Sequence, residues 1–140
     1  MTDIRKAGLL IVRDGAVLLC RKRHTTSKLI LPGGKFLPGE SAATCLAREI
    51  AEELGARATG FEHLGTYRHR AANDDPTVLQ HVVIELYRGT LEGTPHPRAE
   101  IVELVWFDAA GDLDDLAPSL RESIFPDLMA RRLVPWMRFG

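Results

Sequence analysis

Three carboxylates, Glu49, Glu52 and Glu53, are the side chains whose type and spacing point most directly to chemistry. Spacings of three and four residues place side chains on one flank of a helix, so the three fall on a common arc. For stability alone the arrangement is poor. They crowd the last turns, where the macrodipole is negative, and like charges four residues apart cost roughly 0.2–0.5 kcal/mol per pair. Arg48 can offset part of this by pairing with Glu52, and a divalent cation would offset far more. Oxygen ligands without a His or Cys cluster suit a hard ion, Mg2+ or alternatively Mn2+, which takes a few carboxylates and completes its octahedron with water and substrate phosphates. The bland alternative is a solvated acidic helix face.

The elements that must position these groups can be read around them. Ser41 suits an N-cap, Ser41 to Leu54 lacks Gly and Pro, and Gly55 suits a left-handed C-terminal cap. Ala43, Leu46, Ala47, Ile50 and Leu54 form the apolar stripe that faces a core. Upstream, Leu29-Ile30-Leu31 reads as a short strand leading into Pro32-Gly33-Gly34-Lys35, whose glycines let backbone approach a ligand closely or take positive φ. Arg21, Lys22, Arg23 and His24 form a basic cluster before the polar stretch Thr25 to Lys28. The cluster is either a solvated strand end or an electropositive rim for phosphates.

From Gly34 to Ala56 the sequence has the form G-x5-E-x7-R-E-U-x-E-E-x-G-U, with U apolar. Its fixed members are Gly34, Glu40, Arg48, Glu49, Ile50, Glu52, Glu53, Gly55 and Ala56. This resembles the signature of the Nudix hydrolases, and the match is complete. The resemblance implies an α/β fold, the Nudix-type α/β/α sandwich with a mixed β-sheet, and one domain over residues 1–140. It implies a metal held by Glu49, Glu52, Glu53 and the Gly33 carbonyl. Glu52 or Glu53 would orient or deprotonate water, with Glu100 as the alternative base and Glu103 as its competitor. Gly34, Glu40, Arg48 and Gly55 would shape the loop and helix; for Glu40, facing the helix N-terminus, capping is the simplest role. Lys35 completes the GGK form that resembles MutT-type nucleoside triphosphate pyrophosphohydrolases. Arg68 and Arg70 stand with Tyr67 and His69 where the family often places substrate contacts. With Arg21, Arg23 and Lys35 they form the substrate-binding set.

The rest of the chain fits such a fold. Lys6 to Arg13 and Ala16 to Arg23 read as antiparallel strands joined at Asp14-Gly15, a type I′ turn sequence. Arg57 to Arg70 alternates like a strand, Ala71 to Thr77 is a loop, and Val78 to Arg88 is a further strand before a turn at Glu92 to Pro95. Ile101 to Phe107 is a strand, followed by helical patterns over Asp112 to Ala117 and Ser119 to Leu133. Pro126 should kink or break the second. Helices interspersed with hairpin-linked strands point to a mixed sheet between helical layers.

Composition removes some functions. A net charge of −1 gives no general attraction to nucleic acid or acidic membranes. Two separated cysteines, Cys20 and Cys45, make no disulfide framework, and no segment is apolar enough to span a bilayer. A reducing cytoplasmic location is the default, with a small-molecule nucleotide or nucleotide conjugate as partner and a homodimer as an open alternative to the monomer. Three function classes follow. The first is hydrolysis of a nucleoside diphosphate linked to another moiety, by water attack on phosphorus. The second is a catalytically silent, ligand-sensing Nudix domain, against which the complete set of motif glutamates speaks. The third is a prenyl diphosphate isomerase on the same scaffold, for which the cysteines offer no evident match. The late helical region lacks the Asn with which MutT-type enzymes read oxidised guanine, the one Asn being Asn73. Asp108, Asp112, Asp114 and Asp115 there, or Trp106 and Phe107, are alternative base contacts, but a polar loop and a core strand explain them as well.

Overall fold

The computed structural model describes residues 3–24 and 26–138, so Met1, Thr2, Thr25, Phe139 and Gly140 lie outside the description. Seven strands are present: β1 Ile4–Leu10, β2 Val12–Arg13, β3 Ala16–Lys22, β4 Gly33–Lys35, β5 Arg57–Arg70, β6 His81–Glu92 and β7 Ile101–Phe107. Helix α1 covers Ala42–Leu54 and helix α2 covers Phe125–Ala130. One sheet runs β4-β1-β6-β5, with β1 and β6 parallel and the other pairs antiparallel. The other, β2-β3-β7, is antiparallel.

Alternation along the strands builds two cores. Ala7, Leu9, Ile11 and Leu18 pack with Cys45, Leu46, Ile50 and Leu54 of α1. Their neighbours Leu10, Val17 and Leu19 point the other way, onto Leu120, Ile124, Phe125 and Leu128 of the C-terminal helical region. Full burial of each large aliphatic side chain contributes about 1.5–3 kcal/mol, so the α1 stripe alone secures the helix. The result is the expected α/β/α sandwich with a mixed sheet.

The expected hairpin is only partly formed. Asp14 and Gly15 take φ of 51° and 79°, as a type I′ turn requires, but they join β2 to β3. The run expected as one strand leaves the first sheet after Leu10 and enters the second at Val12, and β1 pairs with β4 and β6. Leu29 and Ile30 make isolated bridges, and the strand lies instead at the glycine pair. There Gly33 takes φ 139°, and a Cβ would lie 2.1 Å from the Ala7 carbonyl oxygen, so only glycine lets β4 and β1 approach this closely. β5 and β7 keep their expected spans, whereas β6 starts at His81 and continues to Glu92. The two late helical patterns shrink to a 3-10 turn at Leu113–Asp115 and a wide π-type turn at Leu120–Ile124 that passes into α2 at Phe125, one residue before Pro126. Proline has no N–H for a regular helical bond and is tolerated in the first turn of a helix, so α2 starts afresh around Pro126.

Candidate active site

Helix α1 delivers the carboxylates, and both its ends are fixed locally. Ser41 Oγ accepts from the Thr44 N–H at 3.1 Å, and Gly55 closes the helix at φ 62°. The last carbonyls are also used: His96 N–H donates to Leu54 at 2.9 Å and Arg98 N–H to Glu53 at 2.8 Å. The Arg98 guanidinium lies over Gly55, where a Cβ would fall 2.5 Å from Cζ. A positive group thus sits at the negative end of the helix.

Arg48 organises the middle of the site. It donates to both Glu40 oxygens at 2.8 and 2.9 Å and to Glu49 at 2.8 Å, and lies 3.4 Å from the expected partner Glu52. Glu40 also accepts the Leu37 N–H at 3.0 Å. It therefore closes the loop before α1 against Arg48, and the helix N-terminus is capped by Ser41 instead. The Arg48 hydrogen bonds, then that of Leu37, hold the Glu40 carboxyl down at about 2.

Glu53 is the buried member, 6% exposed. Oε1 accepts from Lys22 Nζ at 3.0 Å, while Oε2 has no hydrogen-bond partner among the described residues. Burial pushes its pKa up to about 7, against the pull of the Lys22 ammonium. Glu49 lies against Gly34, where a Cβ would fall 2.3 Å from its carboxyl carbon, and Glu52 projects to solvent. Among the described residues no three acidic, His or Cys side chains stand about a common ion position. Arg48 and Lys22 supply the positive charge instead.

The donors nonetheless fit a hard cation. Lys22 Nζ lies between Glu53 Oε1 and the Gly33 carbonyl oxygen, 3.4 Å from the latter. Its ammonium stands in for a positive ion between those oxygens, and the orphaned Glu53 Oε2 is an anionic donor the fold leaves unused.

Beside this cluster lies a cavity of about 330 Å³ lined by Ile4, Lys6, Lys22, His24, Gly34, Lys35, Asn73, Val82, Glu100 and Ser119, among others. Of the expected substrate and base candidates, Lys35 and Glu100 reach it. Arg21 does not. It faces the other side of β3 from Lys22 and is held by Asp115 at 2.6 and 2.8 Å, Glu103 at 2.8 Å and the Ser27 carbonyl. The same contact keeps Glu103 from the cavity. Arg23 is exposed outside it. Arg68 and Arg70, on edge strand β5, bind Asp3 and the Pro76 carbonyl. Tyr67 pairs with Asp127, and His69 lies 3.0 Å from Glu122. Phe107 packs on Phe125 and Trp136, and Trp106 is covered by the Arg13 guanidinium. Asp108 and Asp112 brace their own turns, and Asp114 binds Arg121. Sequence reading passes over Lys6 and Ser119, holds Lys22 only as one member of the basic cluster, and leaves Asn73 in a loop before the late helical region; alternation along the strands and the course of the 71–80 loop bring them to the cavity.

A mixed sheet between helices, with a helix of carboxylates beside a cationic cavity, suits the binding of phosphate groups and a hard cation. A NUDIX domain model matches residues 3–127, and the chain belongs to the Nudix hydrolase family, whose members generally need a divalent metal. Over 109 residues it is 31% identical to CTP pyrophosphohydrolase of Escherichia coli (strain K12), covering 76% of each chain. Over 74 residues it is 41% identical to isopentenyl-diphosphate Delta-isomerase of Nocardia farcinica, but this spans 52% of the present chain and only 42% of the isomerase. A solved MutT Nudix hydrolase from Burkholderia pseudomallei superposes with a TM-score of 0.66 at 30% identity, covering 83% of this chain and 88% of that one. Among the described residues no helix is long and apolar enough to cross a membrane.

Proposed function

We propose that this chain hydrolyses a phosphoanhydride of a small nucleotide, a nucleoside triphosphate or a nucleotide conjugate, with Mg2+ or Mn2+ as its ion. The observation that carries this reading is Glu53: a buried carboxylate with one oxygen on Lys22 and the other unpartnered, next to a cationic cavity. Glu49, Glu52, Glu53 and the Gly33 carbonyl would hold the ion, which when bound neutralises phosphate charge and makes water more acidic. Lys22 and Lys35 bind and orient the phosphates from the cavity wall. Water adds to one phosphorus, the bridging P–O bond breaks, and the water proton passes to a carboxylate. Glu52 or Glu53 takes it, or Glu100, which reaches the cavity from the turn after Ala99.

The isomerase likeness finds little support in the site. Cys20 and Cys45 are 0% exposed, and burial pushes their thiols up to about 12 and about 11. The experiment is a panel of nucleoside triphosphates, sugar nucleotides, ADP-ribose and dinucleoside polyphosphates with Mg2+ or Mn2+, with product analysis. Turnover of at least one member, reduced by orders of magnitude in Glu53→Gln, is expected. A panel with no turnover sinks the reading.

A further inference from the structure

Lys6 places a charge on an otherwise apolar face of β1. Alternation puts it in line with Ile4 and Leu10, which pack toward the C-terminal helical region. Its side chain lines both the main cavity and a small apolar hollow behind it, and Ile30 and Ser119 line both as well. Among the described residues no acceptor hydrogen-bonds the ammonium and no carboxylate pairs with it. The charges that act on it include Lys22 and Lys35, which repel it, and Glu53, already held by Lys22. Burial of the ammonium is costly, and Glu53, shared with Lys22, offsets only part of that cost. The Lys6 head faces the cavity, where an acceptor on a ligand can meet it.

Two other cavity groups share this character. Ser119 lines the cavity, and its hydroxyl has no hydrogen-bond partner among the described residues. Asn73 Oδ1 is taken by the Asp75 N–H at 2.9 Å, so its free capacity is the donor NH2. The cavity wall combines aliphatic side chains, Ile30 and Val82 among them, with the donors Lys6, Lys22, Lys35 and Asn73 and one carboxylate, Glu100. Aliphatic walls suit the faces of a planar base, and the donors suit its acceptor edge.

Resting on the nucleotide reading above, we infer that Lys6 reads the base, donating to a ring carbonyl, so that this chain prefers guanine, cytosine or uracil nucleotides to adenine nucleotides. Adenine alone of the common bases has no exocyclic carbonyl and presents an amino group instead. Donor set against donor leaves that hydrogen bond unmade, and sites built around a hydrogen bond reject the analogue that cannot make it.

The test measures kcat and KM for GTP, CTP, UTP and ATP, and calorimetric binding of GMP and AMP, in the full chain and in Lys6→Met. The wild type should favour the carbonyl-bearing bases at least ten-fold in kcat/KM. Lys6→Met should shrink that ratio ten-fold or more, chiefly through KM, and bring GMP binding toward that of AMP. A wild type that prefers ATP overturns the inference, as does a variant with an unchanged ratio. An equal loss on all four nucleotides also overturns it and assigns Lys6 to the phosphates. If no nucleotide is turned over, the hydrolase reading fails separately, and the GMP and AMP affinities still decide what Lys6 reads.

Discussion

Lys22 Nζ donates to Glu53 Oε1 across 3.0 Å, beneath the Gly33 carbonyl at 3.4 Å. A protein cation therefore holds the buried carboxylate that the site would offer to a metal. Removing one partner of a buried polar pair costs about 1–3 kcal/mol, toward the lower end where the survivor can take up a proton. Glu53, raised from 4.5 to about 7, withdraws stability as pH climbs between those values. Lys22→Met should raise it further and extend the loss above pH 7. Denaturation in EDTA should show the variant weakened more at pH 8 than at pH 6. Equal weakening at both would mean that Lys22 acts only through packing.

Gly33 and Gly34 should respond differently to alanine. At Gly33 the φ of 139° and the Ala7 carbonyl 2.1 Å from a built Cβ set backbone against backbone, so Gly33→Ala should loosen the β1–β4 pairing and lower Tm markedly. At Gly34 the clash, 2.3 Å, is with the Glu49 carboxyl, a side chain that can swing away. Gly34→Ala should keep most of its stability but lose about ten-fold or more in affinity for Mn2+, since supporting contacts tune ligand placement. Calorimetric Mn2+ titration checks this, and unchanged affinity would remove Glu49 from the ion site.

The parts of this fold that were legible in sequence are those specified by local chemistry. α1 carries its own cap, apolar stripe and terminal glycine, and its observed span departs from the expected one only at the cap. The change of sheet between the first strands is not legible because Gly8 to Val12 is unbroken apolar sequence, buried on both faces as far as Ile11. No alternation marks where the chain changes sheets. Sequence alone puts the strand before the glycine pair because glycine is a poor strand former, yet its missing Cβ is what admits the Ala7 carbonyl. Within Arg21-Lys22-Arg23, one step along β3 decides which cation meets Glu53 and which meets Asp115, and that parity comes from packing, not from residue type. Arg98 reaches α1 only through the long connection after β6, which no spacing in the helix announces.

The Glu40–Arg48 contact should govern acid stability. With the Glu40 carboxyl depressed from 4.5 to about 2, the folded state holds it ionised where the unfolded chain would protonate it. Its contribution is complete above pH 4.5 and disappears as pH falls toward 2. Glu40→Gln should lower Tm at pH 7, and the gap from wild type should narrow steadily below pH 4.5. A gap that stays constant down to pH 2 would assign the loss to the loop hydrogen bond with Leu37 rather than to charge.

Lys6 sets activity against stability. Burial first, then repulsion from Lys22, lowers its pKa from 10.5 to about 8. The unfolded chain keeps this proton to higher pH than the folded one, so the penalty on folding is complete below pH 8 and fades as pH rises from 8 to 10.5. Each unit of depression corresponds to about 1.4 kcal/mol, reduced here because the cavity is open to water. Lys6→Met keeps the aliphatic stem and removes the charge, so at pH 7 without nucleotide it should gain roughly 1–2 kcal/mol, within the range of charge removal from buried sites. That gain should shrink toward pH 10. Urea denaturation at pH 7, 9 and 10 checks both parts. A destabilised variant at pH 7 would show that the ammonium has an acceptor in the free protein, and would remove the reason to look for one in the ligand.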